Sequence, residues 1–173
     1  MQVLMIKKST LIKHIVFALI IAAGVSAFFA AHRTNFELPV TKVYFVDADM
    51  MRLIPVKTPI PRTSTQRTAQ HVLDALIEGH DNNPKIRRLI PNEKDCLTVR
   101  VKDEIAYVNI SAGVIDAHPD GRDSEILTVY SIVNSLTELD GITNVRFTID
   151  GTVQKNFMGH LDMRETFSPD YFV

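Results

Sequence analysis

The chain has 173 residues, 46% apolar and 23% charged, a composition that suits a globular protein and excludes a disordered one. A net charge of −1 gives no global attraction to nucleic acid, and a single cysteine, Cys96, excludes an internal disulfide framework and a cysteine-based zinc site. The charge is unevenly placed: Lys7, Lys8 and Lys13 precede residue 14 and every acid follows residue 31, leaving 16 basic against 20 acidic residues, a net −4, on the remainder.

Ile15 to Ala31 is a run of 17 uncharged residues, close to the length of helix that crosses a bilayer core. Lys13 and His14 can snorkel at one end, His32 and Arg33 at the other. The lysines ahead of the run place Met1 in the cytoplasm and the rest of the chain outside. Residues 1–31 therefore read as a signal anchor or a signal peptide. Val25-Ser26-Ala27 offers small residues for cleavage, but Phe28 and Phe29 carry the apolar run past that point and favour the anchor. A run apolar on every face argues against a buried soluble helix. No cysteine follows at a position that could be lipidated.

Residues 32–39 form a tether. Val40 to Val46, β-branched and aromatic, predict a strand. Asp47-Ala48-Asp49 turns the chain, and Arg52 to Val56 return as an edge strand because Pro55 cannot donate to a ladder. Thr58 to Arg62 is a loop. Ser64 or Thr65 caps a helix to Glu78 with the stripe Ala69, Val72, Leu73, Leu76 and Ile77, and Gly79 ends it. Asp81-Asn82-Asn83-Pro84 is a turn, and Lys85 to Ile90 reads as one short helical turn. Leu97, Val99 and Val101 alternate with polar residues, as do Ala106, Val108 and Ile110. A two-residue loop at Asp103-Glu104 pairs these two sets on one buried face and sets Arg100 opposite Tyr107 and Thr98 opposite Asn109. Asp-Glu is not a favoured turn pair, so a longer loop stays open.

Asp123 or Ser124 caps a second helix to Leu139 with the stripe Ile126, Val129, Tyr130, Val133, Leu136 and Thr137, stopped at Asp140-Gly141. Val145 to Ile149 is a strand, Asp150-Gly151 a turn, and Thr152-Val153 a short pairing. Phe157 to Val173 shows no period. The order ββαββαβ predicts an α+β fold, a two-layer sandwich of two helices on a mixed or antiparallel sheet, preceded by a transmembrane helix.

VYFVDADMMRLIPV (43–56), TAQHVLDALIEG (68–79), VRVKDEIAYVNIS (99–111) and IVNSLTELDGITNVRFTIDG (132–151) together resemble the sporulation and spore germination domain called GerMN. The last segment is the most specific: a helix ending Leu-Thr-Glu-Leu, a Gly turn, then a strand closing in Ile-Asp-Gly. The resemblance covers residues 40–165 and leaves 166–173 as a tail. It implies an extracytoplasmic domain held by a lipid or a transmembrane helix, found in spore-forming bacteria, similar in fold to the ring-building modules of secretion systems, with no assigned catalytic residues. The best-known members are lipoproteins with tandem copies, whereas this chain has one copy and no lipidatable cysteine.

The residues that carry chemistry each have a plainer role. Cys96 with His71, His80, His118 or His160 would need a base and an orienting group that nothing local supplies, so Cys96 reads as a packing residue. His118, Asp116, Asp120 and Asp123 offer oxygen and nitrogen ligands, but at no EF-hand spacing. His160, in Gly159-His160-Leu161-Asp162, reads as a hydrogen bond tying the tail to the sheet. Asp47 and Asp49, and likewise Asp150, read as turn residues rather than an acid–base pair. Lys85, Arg87 and Arg88 form a small basic cluster that reads as a solvated face, with anionic head groups or polymer as its other use. No phosphate loop or metalloprotease motif occurs.

The expectation is a non-enzyme without catalytic, metal or cofactor sites, at the cell membrane with one span, or secreted if the leader is cleaved. Its exported domain would mediate protein–protein assembly in the cell envelope, with envelope proteins and with itself as a homo-oligomer, and without nucleic acid. An exposed edge such as Arg52–Val56 would add to a neighbour's sheet. The alternative is a cell-wall glycan or small-ligand binding module with an aromatic pocket involving Tyr107, Tyr130 or Phe157. A hydrolase is the third reading, without a paired catalytic set to support it.

Overall fold

The computed structural model describes residues 2–31, 38–79, 83–157 and 159–173. It divides into two compact units, 1–37 and 38–173. In the first, helix α1 runs Gln2–Ala31 and so starts before the apolar run. Its window Leu11–Phe28 has a mean hydropathy of 2.1 and no buried residue, and it is long and apolar enough to cross a membrane. Ser26 lies inside this helix and returns its hydroxyl to the Ala22 carbonyl at 2.9 Å. Residues 32–37, most of the expected tether, fall outside the described residues, as do Asp81 and Asn82 of the expected turn.

The second unit is an α+β fold with strands β1 (Val40–Asp47), β2 (Leu53–Pro59), β3 (Ile86–Arg87), β4 (Leu97–Lys102), β5 (Ile105–Ile110) and β6 (Asn144–Ile149), and helices α2 (Thr65–Glu78), α3 (Ala112–Ala117) and α4 (Arg122–Thr137). The expected single sheet is two three-stranded sheets, ordered β2-β1-β3 and β4-β5-β6. The first is antiparallel throughout, while in the second β5 pairs β4 antiparallel and β6 parallel. α2 packs on β4, α4 on β1, and the helices on each other. Val72, Leu73, Val108, Ile132, Leu136 and Phe147 are among the residues of the one large core they share.

Helix side chains explain why the sheets do not join. β1 turns the Tyr44 amide away from β2, and that amide donates to Ser135 Oγ of α4 at 2.8 Å. β4 is covered by Gln66 and Gln70, one turn apart on α2. Gln66 Oε1 accepts from the Val101 amide and its Nε2 donates to the Val99 carbonyl. Gln70 does the same for the Val99 amide at 3.1 Å and the Leu97 carbonyl at 3.0 Å. Two amides thus take the positions of a neighbouring strand's backbone.

The hairpin register is the expected one: Val101 opposes Ala106, Val99 Val108, Leu97 Ile110, and Arg100 Tyr107. The loop is the short one, with Asp103 at φ 51° and Glu104 at φ 61°, the left-handed pair of a type I′ turn. Aspartate tolerates that conformation, whereas glutamate does not favour it. Glu104→Gly is expected to raise stability by about 0.5–1 kcal/mol, read as a higher midpoint in thermal unfolding. An unchanged or lower midpoint would mean that the turn holds no strain.

Other elements depart from expectation. Lys85–Ile90 is not a helical turn, because Ile86 and Arg87 pair with Asp47 and Val46 and extend the first sheet. β2 continues through Thr58-Pro59, assigned to a loop, because those residues pair with Thr41 and Val40. α2 starts after Ser64, whose hydroxyl accepts from the Arg67 amide at 3.4 Å, as expected. α4 starts earlier than expected, with Gly121 as its cap at φ 120°, and Ser124 lies inside the helix with its hydroxyl on the Gly121 carbonyl at 2.7 Å. The expected stripe of α4 is incomplete: Leu127 and Ile132 are buried too, together with Glu125, Thr128, Ser131, Asn134 and Ser135. This helix is enclosed on nearly every side, partly by the aperiodic segment 157–173.

Candidate functional site

Two regions carry the polar chemistry of the second unit. The first is the anchorage of the carboxyl-terminal segment on α4. Glu125 is fully buried, and its carboxylate accepts from the His160 amide at 3.2 Å, His160 Nδ1 at 2.7 Å and the Leu161 amide at 2.9 Å. One turn beyond Tyr130, Asn134 donates to the Asp170 carbonyl at 2.6 Å and accepts from the Asp170 amide at 3.0 Å. Phe167 exchanges both backbone hydrogen bonds with Val145 of β6 and stacks edge-on against Tyr130 and Phe147. The Val173 carbonyl accepts from the Leu53 amide at 3.3 Å. His160 is therefore tied to a helix carboxylate, where a bond to the sheet was expected. Each polar group buried on α4 receives a partner, as burial away from water requires.

His118 sits nearby, 6% exposed, with Nε2 2.7 Å from Thr128 Oγ1, Nδ1 2.8 Å from the Pro119 carbonyl, and its ring edge-on to Phe157. Burial lowers its pKa below the ordinary 6.5, against smaller opposing effects of the Pro119 carbonyl, Glu125 and Asp120. Because the folded state resists the proton that the unfolded chain accepts, its contribution is complete above 6.5 and declines as pH falls below it. We expect the thermal midpoint to drop between pH 7.5 and pH 5, with a smaller drop in His118→Gln. Equal drops would assign the acid sensitivity to other groups.

The remaining candidates do not converge. Cys96 is buried with its Sγ 3.7 Å from the Pro91 carbonyl, and burial raises its thiol pKa, which leaves it a poor nucleophile. His71 faces the Pro61 carbonyl at 3.0 Å, and His80 lies outside the described residues. Asp116, Asp120 and Asp123 are exposed, and no group of three His, Cys, Asp or Glu side chains is gathered for a metal among the described residues. Asp47 caps its own turn, its Oδ1 accepting from the Met51 amide at 2.8 Å, while Asp49 is exposed. Asp150 accepts from the Ala112 amide at 3.2 Å, and the Thr152 pairing forms with Ile149. Asp162 is held near pKa 2 by the Arg164 guanidinium, an exposed pair two residues apart. The Lys85, Arg87 and Arg88 cluster is divided: Arg88 caps the end of α2, donating to the Ile77 and Glu78 carbonyls and filling the space beside Gly79.

The second region is the open face of the β4-β5-β6 sheet. Register sets Arg100, Tyr107 and Arg146 in one row across the strands and Thr98, Asn109 and Thr148 in the next. None of the six is buried. A groove over this face is lined by Thr98, Arg100, Lys102, Tyr107, Asn109 and Thr148, with Gln66 at its rim. Of the three rings offered for an aromatic pocket, Tyr107 lines this groove, while Tyr130 and Phe157 pack inside against Phe167 and His118. Alternation in the sequence does mark the face as outward, but the parallel register that brings Arg146 and Thr148 alongside leaves no local signal.

The β2 edge, expected to add to a neighbour's sheet, is poor in donors. The Asp47 amide bonds the Arg52 carbonyl, which fixes the alternation so that residues 53, 55, 57 and 59 turn their backbone nitrogens outward. Pro55 and Pro59 have no N–H and the Leu53 amide is on Val173, so Lys57 alone presents one among these described residues.

A family model for sporulation and spore germination, Germane, matches residues 42–155. No curated protein matches this chain. Solved structures that share its fold include the following three. One, from Clostridium perfringens and described as a lipoprotein, is 21% identical over 75% of this chain and 87% of that one, with a TM-score of 0.55. The first GerMN domain of the Bacillus subtilis sporulation protein GerM is 20% identical over 73% and 99%, with a TM-score of 0.56. The tandem GerMN domains of GerM are 21% identical over 75% of this chain and 46% of theirs, with a TM-score of 0.59.

Proposed function

The chain belongs to the sporulation and spore germination (Germane) family, and from that premise we propose that it is a membrane-tethered binding module of the bacterial cell envelope. The observation that carries this reading is the pairing of the family domain with an apolar helix, Leu11–Phe28, in one chain. The helix crosses the membrane once, with the cytoplasmic end marked by Lys7, Lys8 and Lys13. Residues 40–165 form the extracytoplasmic domain and 166–173 its tail. The domain performs no catalysis. It takes part in sporulation or spore germination by assembling with envelope proteins and with further copies of itself.

With β4 covered by glutamines and β2 short of donors, assembly relies on side-chain surfaces rather than strand addition. Tethering in one bilayer raises the local concentration, so weak contacts suffice. Cross-linking the full chain in native membranes, beside sedimentation in detergent, tests this. Cross-linked oligomers or envelope adducts are expected. A chain that stays monomeric and free of adducts in both settings, or a carboxyl-terminal tag reached only from the cytosol, overturns the reading.

A further inference from the structure

We propose that the open face of the β4-β5-β6 sheet is a binding site for an acidic polysaccharide, a function that does not depend on the assembly reading above. The nine residues that the three strands turn to this face include Arg100, Lys102 and Arg146 and no acid. This is a local excess of three positive charges on a portion of chain that carries net −4. Arg100 has no ion-pair partner among the described residues, and Lys102 has only a loose one, Asp103 at 3.9 Å with both side chains exposed. Arg146 donates to the Arg164 carbonyl at 3.0 Å, which uses one nitrogen of its guanidinium and leaves its charge uncompensated.

Between the two arginines of its row stands the half-buried ring of Tyr107. An aromatic ring set in a groove offers a flat apolar surface to the C–H face of a sugar, and flanking guanidinium groups match a sugar carboxylate in the same plane. The neighbouring row, Thr98, Asn109 and Thr148, supplies hydroxyl and amide groups suited to sugar hydroxyls. Asn109 is held in place through its Oδ1, which accepts from Thr148 Oγ1 at 3.0 Å and from the Gly151 amide at 2.6 Å.

An acidic peptide shares the charge requirement but fits less well. Peptides bound at sheets draw much of their affinity from main-chain pairing at an edge. Here the β4 edge is taken by Gln66 and Gln70, and β6 is bridged by Phe167 at one end and Thr152 at the other. A glycan chain lying across the face needs no edge.

The test uses the full chain in neutral-detergent micelles with polygalacturonate as probe, and dextran and poly-glutamate as comparators of neutral sugar and acidic peptide. Binding to polygalacturonate is expected at least about tenfold tighter than to either comparator. Tyr107→Leu is expected to weaken it about five- to tenfold without moving the thermal midpoint, and Tyr107→Phe to retain it. Arg100→Gln is expected to weaken it and to flatten its salt dependence. Equal binding of poly-glutamate, full affinity in Tyr107→Leu, or absence of polygalacturonate binding each overturns the proposal. Should Tyr107→Leu fail to fold, Arg100→Gln and the comparators decide alone.

Discussion

Glu125→Ala is expected to be the most damaging single change proposed for this protein. The substitution removes an acceptor of three hydrogen bonds from a site without solvent, and it strands the amides of His160 and Leu161. Hydrogen bonds to a buried charged group carry more than the ordinary amount, and stranded donors add their own desolvation cost, for a loss of about 3 kcal/mol. For a domain of this size that lowers the thermal midpoint by roughly 10 °C. Glu125→Gln keeps an acceptor and should fall between the two. Hydrogen exchange gives the local readout: protection should disappear at residues 160 and 161, while Asn134→Ala loses it first at Asp170. Protection preserved at residues 160 and 161 in Glu125→Ala would show that the other anchors, Phe167, Asn134 and Val173, hold the carboxyl-terminal segment without the Glu125 carboxylate.

The second large effect is expected from Gln66→Ala with Gln70→Ala. Together the two side chains serve four backbone groups of β4, at Leu97, Val99 and Val101. Both residues are at least partly exposed, so water replaces some of what is lost, and the cost is about 2–4 kcal/mol. The more telling consequence is association. A bared strand of alternating Leu97, Val99 and Val101 is a template for another chain. The double variant should sediment as a concentration-dependent oligomer where the parent sediments as a smaller species. A destabilised variant with unaltered sedimentation would mean that the helix still screens the edge without its amides.

The hairpin was legible because two strands with strict alternation and a fixed loop leave one register that buries all six apolar residues. α2 was legible for the parallel reason, one clean stripe opposite a polar face. α4 was not, because Leu127 lies off the main stripe and packs in a second cluster with Tyr44, Val46, Leu53 and Leu89, while Glu125 and Asn134 meet a carboxyl-terminal segment without periodicity. The buried polar residues Glu125, Ser131, Asn134 and Ser135 look solvent-facing in the sequence. In the fold they meet backbone groups or each other, and backbone partners leave no mark on residue type. β3 was missed because a two-residue pairing has no pattern to show, and the division of the sheet because the side chains responsible are glutamines and a serine on helices. The groove was half visible: one hairpin face could be read as outward, but the third strand reaches it only through a parallel crossover by way of α3 and α4.

The engagement of Asp170, Phe167 and Val173 with α4, β6 and β2 joins one helix and both sheets through a single strip of chain. Peeling that strip away would uncover Asn134, Tyr130 and Phe147 together, so the domain gives way there as one unit rather than piecemeal.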